Sequence, residues 1–192
     1  MAARVRDHAT YEDLLNAPEN MIAELVDGEL YTWPQPRGGH IRAASRLGAI
    51  LGPAYDFGEG GPGGWHILDE PELHFALNER VLIPDLAGWR IERMPDVPSD
   101  HRFTITPDWV CEILSPATAR FDRLTKMPIY AKYGVGHAWI IDLDQRYLEA
   151  KRLENGRWTD IAIHAGNETA RIEPFDAIAI DLTRIWGREP EE

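Results

Sequence analysis

Two acidic residues sit inside short apolar runs, Asp85 in Val81-Leu82-Ile83-Pro84-Asp85-Leu86-Ala87 and Glu112 in Trp109-Val110-Cys111-Glu112-Ile113-Leu114, and Lys126 follows the second run. Runs of this length and composition read as largely buried strands. A carboxylate placed there needs a partner, because an unpaired buried charge is expensive. One reading is structural: each acid is a salt-bridge partner or marks a strand end turning into solvent. The other is that both converge on a divalent cation, whose preferred ligands are hard oxygens. Hydrolysis of a phosphodiester requires an in-line water, neutralisation of charge on the non-bridging oxygens and stabilisation of the leaving alkoxide. A bound divalent ion with a nearby lysine meets those needs, and Asp85, Glu112 and Lys126 are the smallest set that could do so. The ordinary alternative for Lys126 is a solvated position on a helix.

Three other residues could join such a site. Glu24 precedes an Asp27-Gly28 hairpin signal within Glu24-Leu25-Val26-Asp27-Gly28-Glu29-Leu30-Tyr31, so cross-strand pairing is its simplest role. His40 stands at the start of a helical pattern, where it either caps the turn or contacts phosphate, capping being the preferred reading. Asp122 follows Arg120 and Phe121 and reads as a cap for the helical turn that carries Lys126.

The elements that would position these groups follow from periodicity. Thr10 and Asp13 have capping-box spacing ahead of a short helix. Ile41, Ala44, Leu47, Leu51 and Ala54 recur at three- and four-residue steps, which predicts an amphipathic helix over 41–55. The glycine cluster over 58–64 breaks the chain, and strand patterns follow at His66-Ile67-Leu68 and from Glu72 to Leu77. Asn78-Glu79 reads as a tight turn into a strand that carries Asp85. Residues 94–107, with three prolines, form a loop that is either substrate-facing or disordered. Lys126 ends a turn, Pro128 opens a helix through Tyr133, and Gly134 stops it. Ala138-Trp139-Ile140-Ile141-Asp142 is a third buried strand, whose aspartate ends it. Leu148, Trp158 to Ile161 and Ala177 to Ile180 alternate like hairpin strands extending the sheet, and residues 187–192 form a frayed acidic tail. Together these patterns predict a single domain over 1–192 of mixed α/β class.

Read in order, Ala23-Glu24-Leu25-Val26-Asp27-Gly28-Glu29-Leu30, His40, Pro84-Asp85, Glu112-Ile113-Leu114-Ser115-Pro116, Asp122, Lys126-Met127-Pro128-Ile129-Tyr130-Ala131, Gly134-Val135 and Trp139-Ile140-Ile141-Asp142 resemble the Uma2 family, a group of endonucleases in the PD-(D/E)XK superfamily. The motifs are short, and their order and spacing carry the resemblance. It implies a restriction-endonuclease-like fold, a mixed central β-sheet flanked by helices. It further implies that Asp85 and Glu112 hold Mg²⁺, with Mn²⁺ able to substitute, and that Glu24 is a third acidic group near the metal. The superfamily pattern expects lysine two positions after the glutamate, and Leu114 stands there. Lys126, at a position that the family also fills with lysine, is the candidate replacement.

Composition sets the remaining bounds. The chain has 192 residues, a formal net charge of −12 and a sequence pI near 5.0. No apolar run is long enough to span a bilayer, and the first residues lack the apolar core of a signal peptide, so the expected location is the cytoplasm. The lone Cys111 has no internal disulfide partner and reads as a small buried hydrophobe. Seven scattered histidines without an HExxH pair argue against structural zinc. The 58–64 segment lacks the Gly-Lys-Ser/Thr ending of a phosphate-binding loop, and no Gly-x-Ser-x-Gly elbow is present. An acidic protein repels a polyanion at long range, but Arg120, Arg123, Lys126 and Lys132 could form a local basic rim. The reading that follows is a metal-dependent endonuclease acting on DNA, with a homodimer suited to cutting both strands. The alternative is a catalytically degenerate module of the same fold, marked by Leu114 and the acidic surface, whose partner is a protein.

Overall fold

A computed structural model of the chain describes the backbone of residues 3–186 and the side chains from residue 8. The acidic tail expected at 187–192 lies outside the described residues. In chain order the elements are β1 (Ala3–Asp7), α1 (Tyr11–Leu15), β2 (Met21–Val26), β3 (Glu29–Pro34), α2 (Gly38–Leu51), β4 (Trp65–Asp69), β5 (Glu72–Ala76), β6 (Arg80–Leu82) and β7 (Leu86–Arg90). Then come β8 (Arg102–Phe103), β9 (Trp109–Leu114), α3 (Ala119–Phe121), α4 (Met127–Tyr133), β10 (His137–Asp142), β11 (Tyr147–Glu154), β12 (Arg157–Ala165), β13 (Thr169–Ala170), β14 (Ile180–Asp181) and α5 (Thr183–Trp186).

The class is mixed α/β, and the strands divide between two six-stranded sheets of order β1-β3-β2-β6-β5-β8 and β12-β11-β10-β9-β7-β4, with β13 and β14 a separate pair. Both large sheets are mixed, since β5 runs parallel to β8 and β9 parallel to β10. Local sequence accounts for many of the connections. Asp27 and Gly28 both have positive φ, 51° and 80°, as the two-residue turn joining β2 to β3 requires. The Thr10–Asp13 capping box is formed at the start of α1. Gly134 ends α4 in the left-handed region.

Pro84 decides where Asp85 goes. The run from Val81 to Ala87 reads as one strand, but a proline offers no N–H to a ladder. The chain leaves the first sheet after β6 and enters the second at β7, so that Ile83, Pro84 and Asp85 form the crossover between them. Residues 119–133 are helical throughout, with a widened π-type turn at Asp122–Lys126, where the Met127 N–H donates to the Asp122 carbonyl five residues back. Pro128 follows this wide turn directly, so its missing N–H falls where the ladder changes from the wide spacing to the α spacing of α4. A second wide turn, Gly52–Asp56, continues α2.

Strand alternation sends side chains of the second sheet into two cores. Trp109, Cys111 and Ile113 of β9 and Trp139 and Ile141 of β10 pack with Ala43, Leu47 and Leu51 of α2 and with Phe175. The buried stripe of α2 thus begins at Ala43, and Ile41 is exposed. Val110 of β9 and Ala138 and Ile140 of β10 face the other way, onto Met127, Ile129 and Tyr130 of α4 and onto Val26, Trp33, Leu73 and Leu82 of the first sheet. The second sheet is therefore covered by α2 on one face and by α4 and the first sheet on the other.

Two expectations need correction. Residues 94–107 are tied down, not disordered: Met94 is buried, Trp89 Nε1 donates to the Ile105 carbonyl at 2.8 Å, and β8 pairs with β5. The stretch from Ala177 to Ile180 is irregular up to β14, which pairs with β13 and not with the large sheets.

Candidate active site

Glu112 shares a face of β9 with Val110, so alternation aims it between the sheets. Glu24 shares a face of β2 with Ile22 and Val26, both in contact with the same core. Two glutamates on facing sheets thus point into one apolar layer, and each is only 2% exposed. Lys126 reaches between them from the widened turn. Its Nζ donates to Glu112 Oε2 at 2.9 Å and to the Ile83 carbonyl at 2.8 Å, and lies 3.1 Å from Glu24 Oε1. The π-type turn carries both Lys126 and Asp122, whose Oδ1 lies 3.8 Å from the ammonium.

The crossover adds the rest. Ile83, outside any ladder, gives its carbonyl to Lys126 and its N–H to Glu24 Oε1 at 2.9 Å. β7 pairs with β9 in the register Leu86↔Cys111, so one further step sets Asp85 beside Glu112. Asp85 Oδ2 accepts from the Ile113 N–H, and Oδ1 contacts His40 Nε2 at 2.5 Å. Trp33 Nε1 donates to Glu24 Oε2 at 2.9 Å, and the Tyr130 hydroxyl donates to Glu112 Oε1.

Burial sets the electrostatics. It pushes the Glu112 carboxyl well above the usual carboxylate range, against the pull of Lys126 and with reinforcement from Asp122 and Asp85. Burial likewise pushes Asp122 up to about 7, opposed by Lys126 and by a hydrogen bond from Thr118. For Lys126 burial favours the neutral amine, but Glu112, Glu24 and Asp122 outweigh it and hold the ammonium more firmly than usual. His40 is also partly desolvated, and its bond to Asp85 outweighs that and raises its basicity.

Glu24, His40, Asp85, Glu112, Asp122 and Lys126 all line one cleft of about 640 Å³. The residues singled out from the sequence therefore meet in space, with changed local roles for several. His40 caps nothing; Arg37 precedes α2 without a side-chain cap, and His40 holds Asp85 instead. Asp122 is not a cap either: it lies buried inside the turn, because the wide turn directs it inward with Lys126. Lys126 is 3% exposed, which removes the solvated-helix alternative. Asp142 ends its strand and accepts from the Gln145 N–H at 2.8 Å.

The basic rim does not form as expected. Arg123 is bound by both Glu149 oxygens and donates to the Tyr147 hydroxyl, Lys126 is internal, and Arg120 and Lys132, though exposed, do not line the cleft. The exposed cations at the cleft are Arg37, just before α2, and Arg42 within it, and they make no ion pair among the described residues. Sequence reasoning also missed Tyr130 and Trp33. Tyr130 follows Lys126 by four residues and so shares its helix face, which is a signal that could have found it. No residue of 94–107 lines the cleft.

Four carboxyl groups share this cleft with one ammonium and one imidazole, and burial together with the neighbouring acids raises two of them, Glu112 and Asp122. The donors are all hard oxygens. In type they suit a divalent cation such as Mg²⁺, whose charge would favour their ionised forms. Among the described residues no three His, Cys, Asp or Glu side chains already converge as a cage for an ion. Lys126 stands between the glutamates instead.

Comparison with known proteins gives three results. The family model Uma2, described as "Putative restriction endonuclease", matches residues 8–183. The crystal structure of a putative nuclease from Anabaena variabilis superposes with a TM-score of 0.73 at 19% identity, over 92% of this chain and 97% of that one. At that identity the likeness concerns the fold. No curated protein matches.

Proposed function

Because the chain belongs to the Uma2 family of putative restriction endonucleases, we propose that it is a Mg²⁺-dependent endonuclease hydrolysing DNA phosphodiester bonds. The observation that carries the reading is the convergence of Glu24, Asp85, Glu112 and Asp122 on one cleft around the single ammonium of Lys126. When bound, the cation would supply Lewis-acid polarisation of the phosphate and a water of lowered pKa. Asp85 and Glu112 would hold it, and Glu24 would lie close by. Mn²⁺, with similar ligand preferences, would substitute.

The chain's own groups have distinct tasks on this reading. His40, fixed on α2, orients the Asp85 carboxylate, and the Ile113 N–H anchors its other oxygen. Tyr130 orients Glu112. Lys126 takes the charge-balancing place that Leu114 leaves open, from the helix and not from β9. Arg37 and Arg42 at the mouth would meet substrate phosphates, which cations position without reading sequence. Two copies related by a twofold axis would present two such clefts to opposite strands. Among the described residues no helix is long and apolar enough to cross a membrane.

The test is cleavage of supercoiled plasmid and of single-stranded DNA by wild type and Asp85→Asn, with Mg²⁺, with Mn²⁺ and with EDTA. Cleavage is expected only from wild type with a divalent ion. Equal cleavage by Asp85→Asn, or cleavage in EDTA, removes the assignment.

A further inference from the structure

Lys126 is surrounded by oxygens from four parts of the fold. They belong to Ile83 in the crossover at 2.8 Å, Glu112 on β9 at 2.9 Å, Glu24 on β2 at 3.1 Å and Asp122 on its own turn at 3.8 Å. The side chain is 4% exposed. This set, anionic and all oxygen, is the coordination chemistry of a hard cation, and here an ammonium occupies it. We propose that Lys126 is a resident cation of the acid cluster, and that a divalent ion must compete with it for Glu112.

Three features support the competition, which rests on the proposed metal-dependent reading. Glu112 has no idle oxygen, since Oε2 accepts from Lys126 and Oε1 from Tyr130. An ion that takes up Glu112 must therefore share an oxygen with Lys126 or with Tyr130, and in either place it lies beside the ammonium. Ile83 binds Lys126 through its carbonyl and Glu24 through its N–H, so the crossover clamps the ammonium and one glutamate together. The approach direction matters as well. A lysine at position 114 would lie on β9 itself, whereas Lys126 enters from the helix and joins Glu112 of one sheet to Glu24 of the other. The same residue thereby holds the two sheets in register at the cleft without the ion and opposes the ion's entry by charge.

The experiment compares Mn²⁺ affinity by calorimetry for wild type, Lys126→Gln and Lys126→Arg. Loss of a positive charge within a few ångströms should tighten Mn²⁺ binding by at least about tenfold in Lys126→Gln, with Lys126→Arg unchanged or weaker. Uptake by Lys126→Gln where wild type takes up none supports the proposal equally. Equal or weaker affinity in Lys126→Gln beside a wild type that binds overturns the competition and leaves the metal-dependent reading standing. No uptake by any of the three overturns both. Should Lys126→Gln fail to fold, the ¹⁵Nζ resonance of Lys126 in wild type decides: a shift as Mg²⁺ binds is expected, and an unmoved resonance under saturating Mg²⁺ overturns the proposal.

Discussion

Replacing Asp122 by asparagine should stabilise the metal-free protein at pH 8 much more than at pH 5. Burial raises the Asp122 carboxyl from its ordinary 3.8 to about 7, with Lys126 pulling the other way. The folded state therefore holds a proton that the unfolded chain has released. The stability this group contributes is full below the unfolded value and is lost as pH rises through the folded one. One pKa unit corresponds to about 1.4 kcal/mol, so at most about 4 kcal/mol disappears between pH 3.8 and 7, and at most about 3 kcal/mol of it between pH 5 and 8. Asparagine has the same shape and still offers Thr118 an acceptor, while Lys126 keeps Glu112 and Glu24. Urea unfolding in EDTA at the two pH values measures the effect. The advantage of Asp122→Asn over wild type should grow by up to about 3 kcal/mol from pH 5 to pH 8. An identical pH dependence in the two proteins would refute the argument that burial holds a proton on Asp122 in the folded state.

Tyr130→Phe deletes the hydroxyl on Glu112 without changing the ring, and should cost about 1–3 kcal/mol of stability by urea unfolding. The same variant should weaken Mn²⁺ binding by about tenfold or more, since a group that orients a ligand typically has that influence; unchanged affinity would show that Tyr130 only fills space. Arg37→Ala and Arg42→Ala should each weaken DNA binding uniformly across sequences and lower the slope of log affinity against log salt by about 1. Fluorescence anisotropy across a salt series checks this, and an unaltered slope would place the phosphates elsewhere.

The chemistry of the site was legible because acids in apolar runs are conspicuous: Asp85 and Glu112 stand out against the valines, leucines and isoleucines around them. Turns carried by local rules were legible too, as with Asp27-Gly28 and the Thr10–Asp13 box. Pro84 was read as a passenger in a strand, because nothing local shows that the next ladder belongs to another sheet. That crossover frees the Ile83 backbone groups for Glu24 and Lys126, so missing it also hid why the lysine is buried. Asp122 and His40 looked like caps because their sequence neighbours are helix starts, whereas their partners, Lys126 and Asp85, are fixed by a widened turn and by tertiary packing. Arg123 looked free to meet a polyanion, and its neutralisation by Glu149 depends on a strand 26 residues further on. Motif order located the cleft's residues, and long-range packing decided their partners.

The most direct test of the account is a calorimetric Mn²⁺ titration of wild type beside Asp85→Ala and Glu112→Ala, which requires no knowledge of the target sequence. Binding by wild type that either substitution abolishes is the predicted result, since both carboxylates are assigned to hold the ion. Mn²⁺ uptake of equal affinity in all three proteins would contradict it.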